Sequence, residues 1–346
     1  MKTINPNLNQ VLSGPSHKIR EASWYINGII NNRDFVILAE AITLLESDNP
    51  DHQRIATDIL IACEQVNTDS LRIGITGSPG VGKSTFIENI TPTLLRHHHT
   101  AAVLTIDPSS IDNRGSILGD KTRMQSLSQN KSVFLRPSPS RKHLGGTHAM
   151  TFEAIIMCEA AGIELIIIET VGVGQSEHAI TDFVDCVLLL LLPGAGDDLQ
   201  GIKKGITQIA DIIVIHKADG DQLQSAQKIA RDYELAMHLS RSNDQQWQIP
   251  VCKHSSIDQD FKSKVPHHIE RFINHLKDSK TLLPKRKIQR VKIMRSRLLQ
   301  NIQSIIKHNI DADSRIQDTI ESGQEHPYNT LSTLLNKLKL TVNWLE

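Results

Sequence analysis

Residues 77–84 spell Gly-Ser-Pro-Gly-Val-Gly-Lys-Ser, a complete G-x-x-x-x-G-K-S phosphate-binding loop. This motif belongs between a strand and a helix, and a short apolar run (71–76) and a helical pattern (85–97) flank it. Its glycines let successive backbone N–H groups turn toward a phosphate, Lys83 would place a positive charge on the β- and γ-phosphates, and Ser84 would offer a hydroxyl to Mg²⁺. The predicted phosphate-binding residues are Gly77, Ser78, Pro79, Gly80, Val81, Gly82, Lys83, Ser84 and Thr85.

Further short apolar runs follow the loop and alternate with segments of helical periodicity, for example residues 151–161 and 223–237. Apolar runs without polar alternation are typical of strands buried on both faces, as in a parallel sheet. We therefore predict an α/β fold, with a doubly wound, mainly parallel P-loop sheet over residues 71–275 and helical extensions at both ends. The predicted strands are residues 71–76, 102–107, 164–169, 184–192, 211–216 and 249–254, with a weaker candidate at 133–136.

The regions that flank the sheet have a different pattern. Residues 1–25 are polar and aperiodic and predict a loose extension, whereas residues 26–70 predict a helical region. Residues 285–346 carry apolar side chains three to four positions apart, which predicts amphipathic helices. Because such helices need a surface to cover, we interpret this last region as a dimerisation region.

The composition argues against several classes of partner. Thirty-eight basic residues balance thirty-eight acidic ones, so no net charge favours nucleic acid or an anionic membrane. A basic stretch at 284–297 is therefore interpreted as a solvated or partner-facing side of a helix. The longest apolar run, 187–192, is far shorter than the roughly 20 residues of a membrane span. The first residues lack the apolar core of a secretion signal, and the four cysteines are scattered, which predicts a cytoplasmic protein with reduced core thiols.

Acidic residues end two of the predicted strands. Ligands of parallel sheets bind at the carboxyl ends of the strands, and Asp107 and Glu169 occupy such ends. Carboxylates near Ser84 are the ligands that Mg²⁺ requires, so these two acids are predicted magnesium residues. Glu169 also begins Glu-Thr-Val-Gly, which resembles the γ-phosphate sensor of GTPases and would bring the N–H of Gly172 to the phosphate.

A base-recognition element follows a later strand. GTPases bind guanine with Asn/Thr-Lys-x-Asp, and the corresponding residues are His216-Lys217-Ala218-Asp219. Asp219 would accept from the guanine N1–H and 2-amino groups, and Lys217 would lie along the base plane. His216 replaces an Asn whose amide braces the loop and touches the base, which leaves open whether the preference for guanine is relaxed. Ser255 and Ser256 are predicted to form a small-residue loop against the base.

Several long motifs together resemble the MeaB/ArgK family of GTPases that are associated with methylmalonyl-CoA mutase. The resemblance covers about residues 30–300. Besides the phosphate loop, it rests on Asp107-Pro-Ser-Ser, Gly115-Ser-Ile-Leu-Gly-Asp-Lys-Thr-Arg-Met124, Arg136-Pro-Ser-Pro, Glu169-Thr-Val-Gly-Val-Gly-Gln-Ser-Glu177 and Leu192-Pro-Gly-Ala-Gly-Asp-Asp-Leu-Gln-Gly-Ile-Lys-Lys-Gly205.

The resemblance implies a homodimeric, GTP-hydrolysing chaperone that gates adenosylcobalamin loading of an acyl-CoA mutase and protects the mutase, with Mg²⁺ and GTP or GDP as its ligands. It adds Asp120, in a first switch, to the acids on the magnesium side, and it assigns Glu169 and Gly172 to a second switch. It also implies that a third switch supports hydrolysis and carries the signal to the mutase. The residues of that third switch are Asp197, Gln200, Lys203 and Lys204. The predicted catalytic residues are then Lys83, Glu169, Gln200 and Lys203.

Three other functions compete with this one. Relatives have carried the label of a kinase of an arginine/ornithine transport system, although no H-R-D or D-F-G element is present. Metal-insertion GTPases for nickel enzymes are a sister group on the same fold, but the cysteines here are not clustered. A non-catalytic nucleotide sensor is the third alternative, and the intact Lys83, Ser84 and Glu169 argue against it.

Overall fold

The structure is a computed structural model of the chain. Described here are residues 19–47, 49–107, 124–139, 150–170, 179–193, 209–239, 247–256 and 264–311, with Ser322 and Asn329.

Seven strands follow the apolar runs of the sequence, namely β1 (Leu71–Gly77), β2 (Ala101–Asp107), β3 (Val133–Pro139), β4 (Leu165–Glu169), β5 (Cys186–Leu191), β6 (Ile212–His216) and β7 (Val251–His254). They form one sheet in the order β3-β2-β4-β1-β5-β6-β7. Every neighbouring pair is parallel. The weak strand candidate at 133–136 is thus a true strand, paired with β2 along its whole length.

Helices connect and cover the strands: α1 (Ala22–Ile26), α2 (Phe35–Leu45), α3 (Pro50–Glu64), α4 (Lys83–Leu94), α5 (Gln125–Ser128), α6 (Thr151–Ala160), α7 (Leu223–Leu239), α8 (Lys264–Asp278) and α9 (Leu282–Asp311). Helix α4 begins two residues earlier than the pattern predicts, because Gly82 adopts a left-handed conformation as its N-cap and turns the phosphate loop directly into the helix.

Apolar side chains alternate between the two faces of the sheet. On β5, Leu188 and Leu190 belong to a core with α4 and α8, whereas Leu189 belongs to a second core with α7. Ile212 and Ile213 of β6 divide between the same two cores. Helices therefore pack on both faces of a parallel sheet, which confirms the predicted doubly wound α/β fold.

The N-terminal helical region is longer than its pattern indicates. Helix α1 begins at Ala22, inside the stretch 1–25 that the sequence predicts as a loose extension. It continues as a π-helical turn over Asn27–Asn31. Its buried residues are few and close together, so they do not produce a recognisable period. Helices α2 and α3 begin as their sequences indicate. The Asp34 and Asn49 side chains accept from backbone N–H groups of the first turn, and Pro50 follows Asn49.

The edge of the sheet opposite the phosphate loop carries a cluster of charged side chains, which we call the anchor cluster: Asp185, Asp211, Lys285 and Arg286. The Arg286 guanidinium donates to both carboxylate oxygens of Asp185, at 2.8 and 2.6 Å, and to the carbonyl of Ser70. Lys285 donates to the Asp185 carbonyl at 2.6 Å and lies 4.0 Å from the Asp211 carboxylate. These contacts attach the first turn of α9 to the residues that precede β5 and β6.

The described residues up to Lys287 belong to one compact unit, and those from Ile288 onward belong to a second. Within the second unit α9 exposes a series of large apolar side chains: Ile288, Val291, Met294, Leu298, Leu299 and Ile302. Among the helices of the described ranges, none combines the length and the apolar character that crossing a bilayer requires.

Candidate nucleotide site

The phosphate loop leaves β1 at Gly77 and turns back into α4 at Gly82, and each of these glycines has a steric reason. A Cβ on Gly77 would lie 2.5 Å from the carbonyl oxygen of Leu190 in the adjacent strand. Gly82 has φ +93°, and a Cβ there would lie 2.9 Å from Cε1 of His216. Both positions therefore exclude any larger residue, and the loop can pass close to its neighbours.

Lys83 points back across the loop. Its ammonium donates to the carbonyl of Gly77 at 2.9 Å and to that of Ser78 at 3.3 Å, and the residue is buried. The positive charge therefore lies inside the curve of the loop, where a phosphate would be surrounded by backbone N–H groups.

Ser84 and Glu169 meet at the junction of the phosphate loop and β4. The Ser84 hydroxyl donates to Oε1 of Glu169 at 2.9 Å. Thr170, which follows Glu169, is buried, and it fixes the end of β4 by donating its N–H to Ile75 and by a 3.1 Å hydroxyl contact with Thr76. Sequence reasoning missed the Thr170–Thr76 contact, because Thr76 lies outside the phosphate-loop motif and the Glu-Thr-Val-Gly motif assigns no role to its threonine.

Asp107 ends β2, whose register pairs Thr105 with Glu169, so both predicted magnesium acids lie at the same edge of the sheet. The described part of Asp107 is its backbone. Four further predicted site residues lie outside the described residues: Asp120, Gly172, Gln200 and Lys203. The same holds for Asp197 and Lys204. In the ranges given above, no group of three or more His, Cys, Asp or Glu side chains could hold a metal ion.

The base-recognition turn follows β6 directly. Lys217 has a left-handed backbone (φ +58°) and its ammonium donates to the Gly80 carbonyl at 3.3 Å, so it lies against the phosphate loop. The Ser255 hydroxyl donates to Oδ2 of Asp219 at 2.5 Å, and the Ala218 N–H donates to the carbonyl of His254 at 3.1 Å. The predicted small-residue loop after β7 is thus in contact with the predicted base-reading carboxylate.

His216 is buried between the phosphate loop and Ser256. Its Nδ1 lies 2.8 Å from the Val81 carbonyl oxygen and its Nε2 lies 3.3 Å from the Ser256 hydroxyl. Burial lowers the pKa of His216, as does the nearby Lys217 charge, while the Val81 carbonyl opposes the shift. A second residue that sequence reasoning missed, Asn89 of α4, donates to the Ser256 carbonyl at 3.2 Å.

The four cysteines are free thiols and all are buried, as predicted for core residues. Burial raises the pKa of Cys63 and of Cys252 to about 12 in each case, so neither thiol ionises readily.

The parallel sheet, the phosphate loop between β1 and α4 and the Lys-x-Asp turn after β6 together define a P-loop nucleoside triphosphatase. A family model described as "Methylmalonyl Co-A mutase-associated GTPase MeaB" matches residues 38–311. The chain belongs to the MeaB family, and it is a GTPase.

Individual relatives agree with this assignment. The chain is 41% identical over 283 residues to the GTPase ArgK of Escherichia coli, covering 82% of this chain and 86% of that protein. It is 40% identical over 281 residues to a mouse protein named methylmalonic aciduria type A homolog, mitochondrial, covering 78% of this chain and 67% of the mouse protein. A crystal structure described as a LAO/AO transport system kinase superposes with a TM-score of 0.71 at 31% identity, covering 93% of this chain and 99% of the other.

Proposed function

We propose that this GTPase acts as a chaperone of an adenosylcobalamin-dependent acyl-CoA mutase of the methylmalonyl-CoA mutase type, gating cofactor loading and protecting the mutase. The observation that carries the proposal is the match, over residues 38–311, to a family described as methylmalonyl-CoA mutase-associated. The name of the mouse relative, which refers to methylmalonic aciduria, supports the same association. The cytoplasmic location stays a prediction.

The chemistry of hydrolysis depends on positioning and charge neutralisation rather than on a covalent intermediate. Lys83 is the proposed phosphate-binding cation. The hydroxyl of Ser84 and the carboxylate of Glu169 lie within hydrogen-bond distance and are hard oxygen ligands, so they fit Mg²⁺, with Asp107 and Asp120 as further proposed acids. When bound, Mg²⁺ would supply positive charge to the phosphates.

The described strand ends support a coupling between nucleotide and partner. The predicted second switch begins at Glu169, the last residue of β4, and the predicted third switch follows β5. Both strands pair directly with β1, which carries the phosphate loop. A change in the phosphates at the loop would therefore reach both segments through adjacent strands. We propose that Gly172 belongs to the second switch, and that Gln200 and Lys203 of the third switch transmit the signal to the mutase.

A hydrolysis assay with and without partner tests the proposal. The purified chain would be assayed for GTP turnover alone and with a methylmalonyl-CoA mutase, and adenosylcobalamin transfer to the apo-mutase would be followed by absorbance. We expect mutase to stimulate turnover about tenfold or more, because a partner that orders the switches completes the site. Lys203→Ala should lose this stimulation, whereas the exposed Lys228→Ala on α7 should keep it. Absence of stimulation and of cofactor transfer would contradict the chaperone function while leaving the GTPase assignment intact.

A kinase of an amino-acid transport system is the second candidate, because a similar crystal structure is described as a LAO/AO transport system kinase. Transfer of labelled γ-phosphate from GTP to a co-purified protein would favour it. A nickel-insertion role has less support, because the part of the chain that the structure describes contains no metal-binding cluster and its cysteines are buried. Stoichiometric nickel binding would revive that alternative.

A further inference from the structure

The imidazole of His216 stands where GTPases place an Asn, and its surroundings define its orientation. The residue is 1% exposed. The ring of Phe86 meets it edge-on at a centroid distance of 5.8 Å, and the ring of His254 lies 5.4 Å away. On a further side, the imidazole is so close to Gly82 that even a methyl group there would collide with it. A side chain packed in this way keeps a single rotamer.

The hydrogen bonds of His216 define its tautomer. A carbonyl oxygen only accepts, so Nδ1, 2.8 Å from the Val81 carbonyl, carries the proton. In the neutral ring Nε2 is then an acceptor, and the Ser256 hydroxyl, 3.3 Å away, donates to it. Both nitrogens are thus engaged by the protein, and the ring has no third polar atom with which to contact a base.

Residues next to His216 supply the contacts to a base that the imidazole ring cannot make. Asp219 is held by the Ser255 hydroxyl, and an ionised carboxylate accepts from two donors, such as the N1–H and 2-amino groups of guanine. Asn89, on helix α4, donates to the Ser256 carbonyl, and His216 contacts the Ser256 hydroxyl. The turn after β7 is therefore attached to the phosphate-binding half of the site at two points.

We propose that His216 is a positioning residue that joins the phosphate loop to the Ser255–Ser256 turn, and that it does not contact the base. Guanine preference then depends on Asp219 and is not relaxed by the missing Asn. The inference deepens the nucleotide site on which the proposed function rests, and it requires only that a guanine nucleotide binds at this edge of the sheet.

Nucleotide titrations of the isolated protein test this inference separately from any effect on a mutase. The dissociation constants of GDP, of ADP and of 7-deaza-GDP, in which carbon replaces the N7 acceptor, would be measured by calorimetry for wild type and His216→Ala. We expect His216→Ala to weaken GDP binding about tenfold, since it removes a buried brace of the loop worth about one good hydrogen bond. The ratios of 7-deaza-GDP to GDP and of ADP to GDP should stay at their wild-type values.

Two further variants make every outcome decisive. His216→Asn, whose amide can still donate to the Val81 carbonyl, should recover most of the GDP affinity, and it replaces His216→Ala if that variant does not fold. Asp219→Asn should instead collapse the preference for GDP over ADP and improve binding of xanthosine diphosphate, whose 2-oxo group accepts from an amide. A change in the ratio of ADP to GDP in either His216 variant would overturn the inference. A changed ratio of 7-deaza-GDP to GDP in His216→Ala would do the same, as would an unchanged GDP affinity in that variant. A retained preference for GDP in Asp219→Asn would overturn the assignment of base reading to that carboxylate.

Discussion

Removing the guanidinium of Arg286 should destabilise the protein strongly, because it leaves the carboxylate of Asp185 buried without its charged partner. Asp185 has no exposed side-chain surface, whereas Arg286 is 15% exposed. Besides the two Arg286 bonds, the carboxylate accepts only from the Arg72 N–H, at 2.9 Å, among its described contacts. Although burial opposes the positive charge of Arg286, the hydrogen bonds that its guanidinium donates to Asp185 raise the pKa of Arg286.

The magnitude follows from these contacts. Breaking a buried pair by removing one partner costs about 3–5 kcal/mol, and Arg286→Ala also releases the Ser70 carbonyl. We therefore expect the free energy of unfolding to fall by about 3–5 kcal/mol for Arg286→Ala. Arg286→Lys should recover only part of this, because an ammonium cannot form the two-pronged contact with the carboxylate.

Urea unfolding followed by circular dichroism would measure the difference between wild type and variants. Arg290→Ala provides a matched control, since it removes an exposed arginine from the same helix and should change stability by less than about 0.5 kcal/mol. In the double variant Asp185→Leu/Arg286→Met, both charges are gone, so its loss should be smaller than that of Arg286→Ala alone. A loss below about 1 kcal/mol for Arg286→Ala would refute the reasoning.

Two other predictions concern the anchor cluster and α9. Burial raises the pKa of Asp211 from 3.8 to about 6, although the Lys285 charge opposes the shift. The folded protein therefore binds a proton at Asp211 more tightly than the unfolded chain does, and the free energy of unfolding falls as pH rises through about 4 to 6. Because the Asp211 side chain is 22% exposed, we expect Asp211→Asn to be more stable than wild type at pH 7 by only about 1–2 kcal/mol, with equal stability at pH 4 in matched thermal melts. An advantage of the variant at pH 4 as large as at pH 7 would contradict this linkage. Second, we propose that the exposed apolar residues of α9 form the homodimer interface, so Met294→Glu should yield a monomer in sedimentation equilibrium; an unchanged dimer would place the interface elsewhere.

The strands were the most predictable part of the fold, since a strand buried on both faces needs an unbroken apolar run. The β1 prediction of 71–76 differs by one residue from Leu71–Gly77. The β5 prediction of 184–192 is too long, because Asp185 belongs to the anchor cluster and the strand begins only after it. Strand order was not predictable in the same way, because an apolar run indicates that a strand is buried but not which strands lie beside it.

The nucleotide site likewise contains contacts that the sequence predicts and contacts that it does not. The meeting of Ser84 with Glu169, 85 residues apart, was predictable because the phosphate-loop motif implies which strand ends surround it. The role of His216 was not, since the motif position suggests contact with a base and only the packed structure places both ring nitrogens against protein atoms. Local motifs thus indicate which residues gather at an edge, while hydrogen-bond partners depend on the fold.

The two ends of the sheet separate the nucleotide site from the anchor cluster. Strands β5 and β6 begin beside Asp185 and Asp211, and β6 ends at His216. A strand of five or six residues spans about 17–20 Å, too far for a direct contact between the two clusters. Effects of well-separated sites are additive within about 0.5 kcal/mol. Arg286→Ala should therefore lower stability without changing the GDP affinity of the folded protein, and the nucleotide-selectivity ratios of His216→Ala should persist in the double variant. A coupling free energy above about 1 kcal/mol between the two substitutions would instead mean that the strands transmit strain from one edge of the sheet to the other.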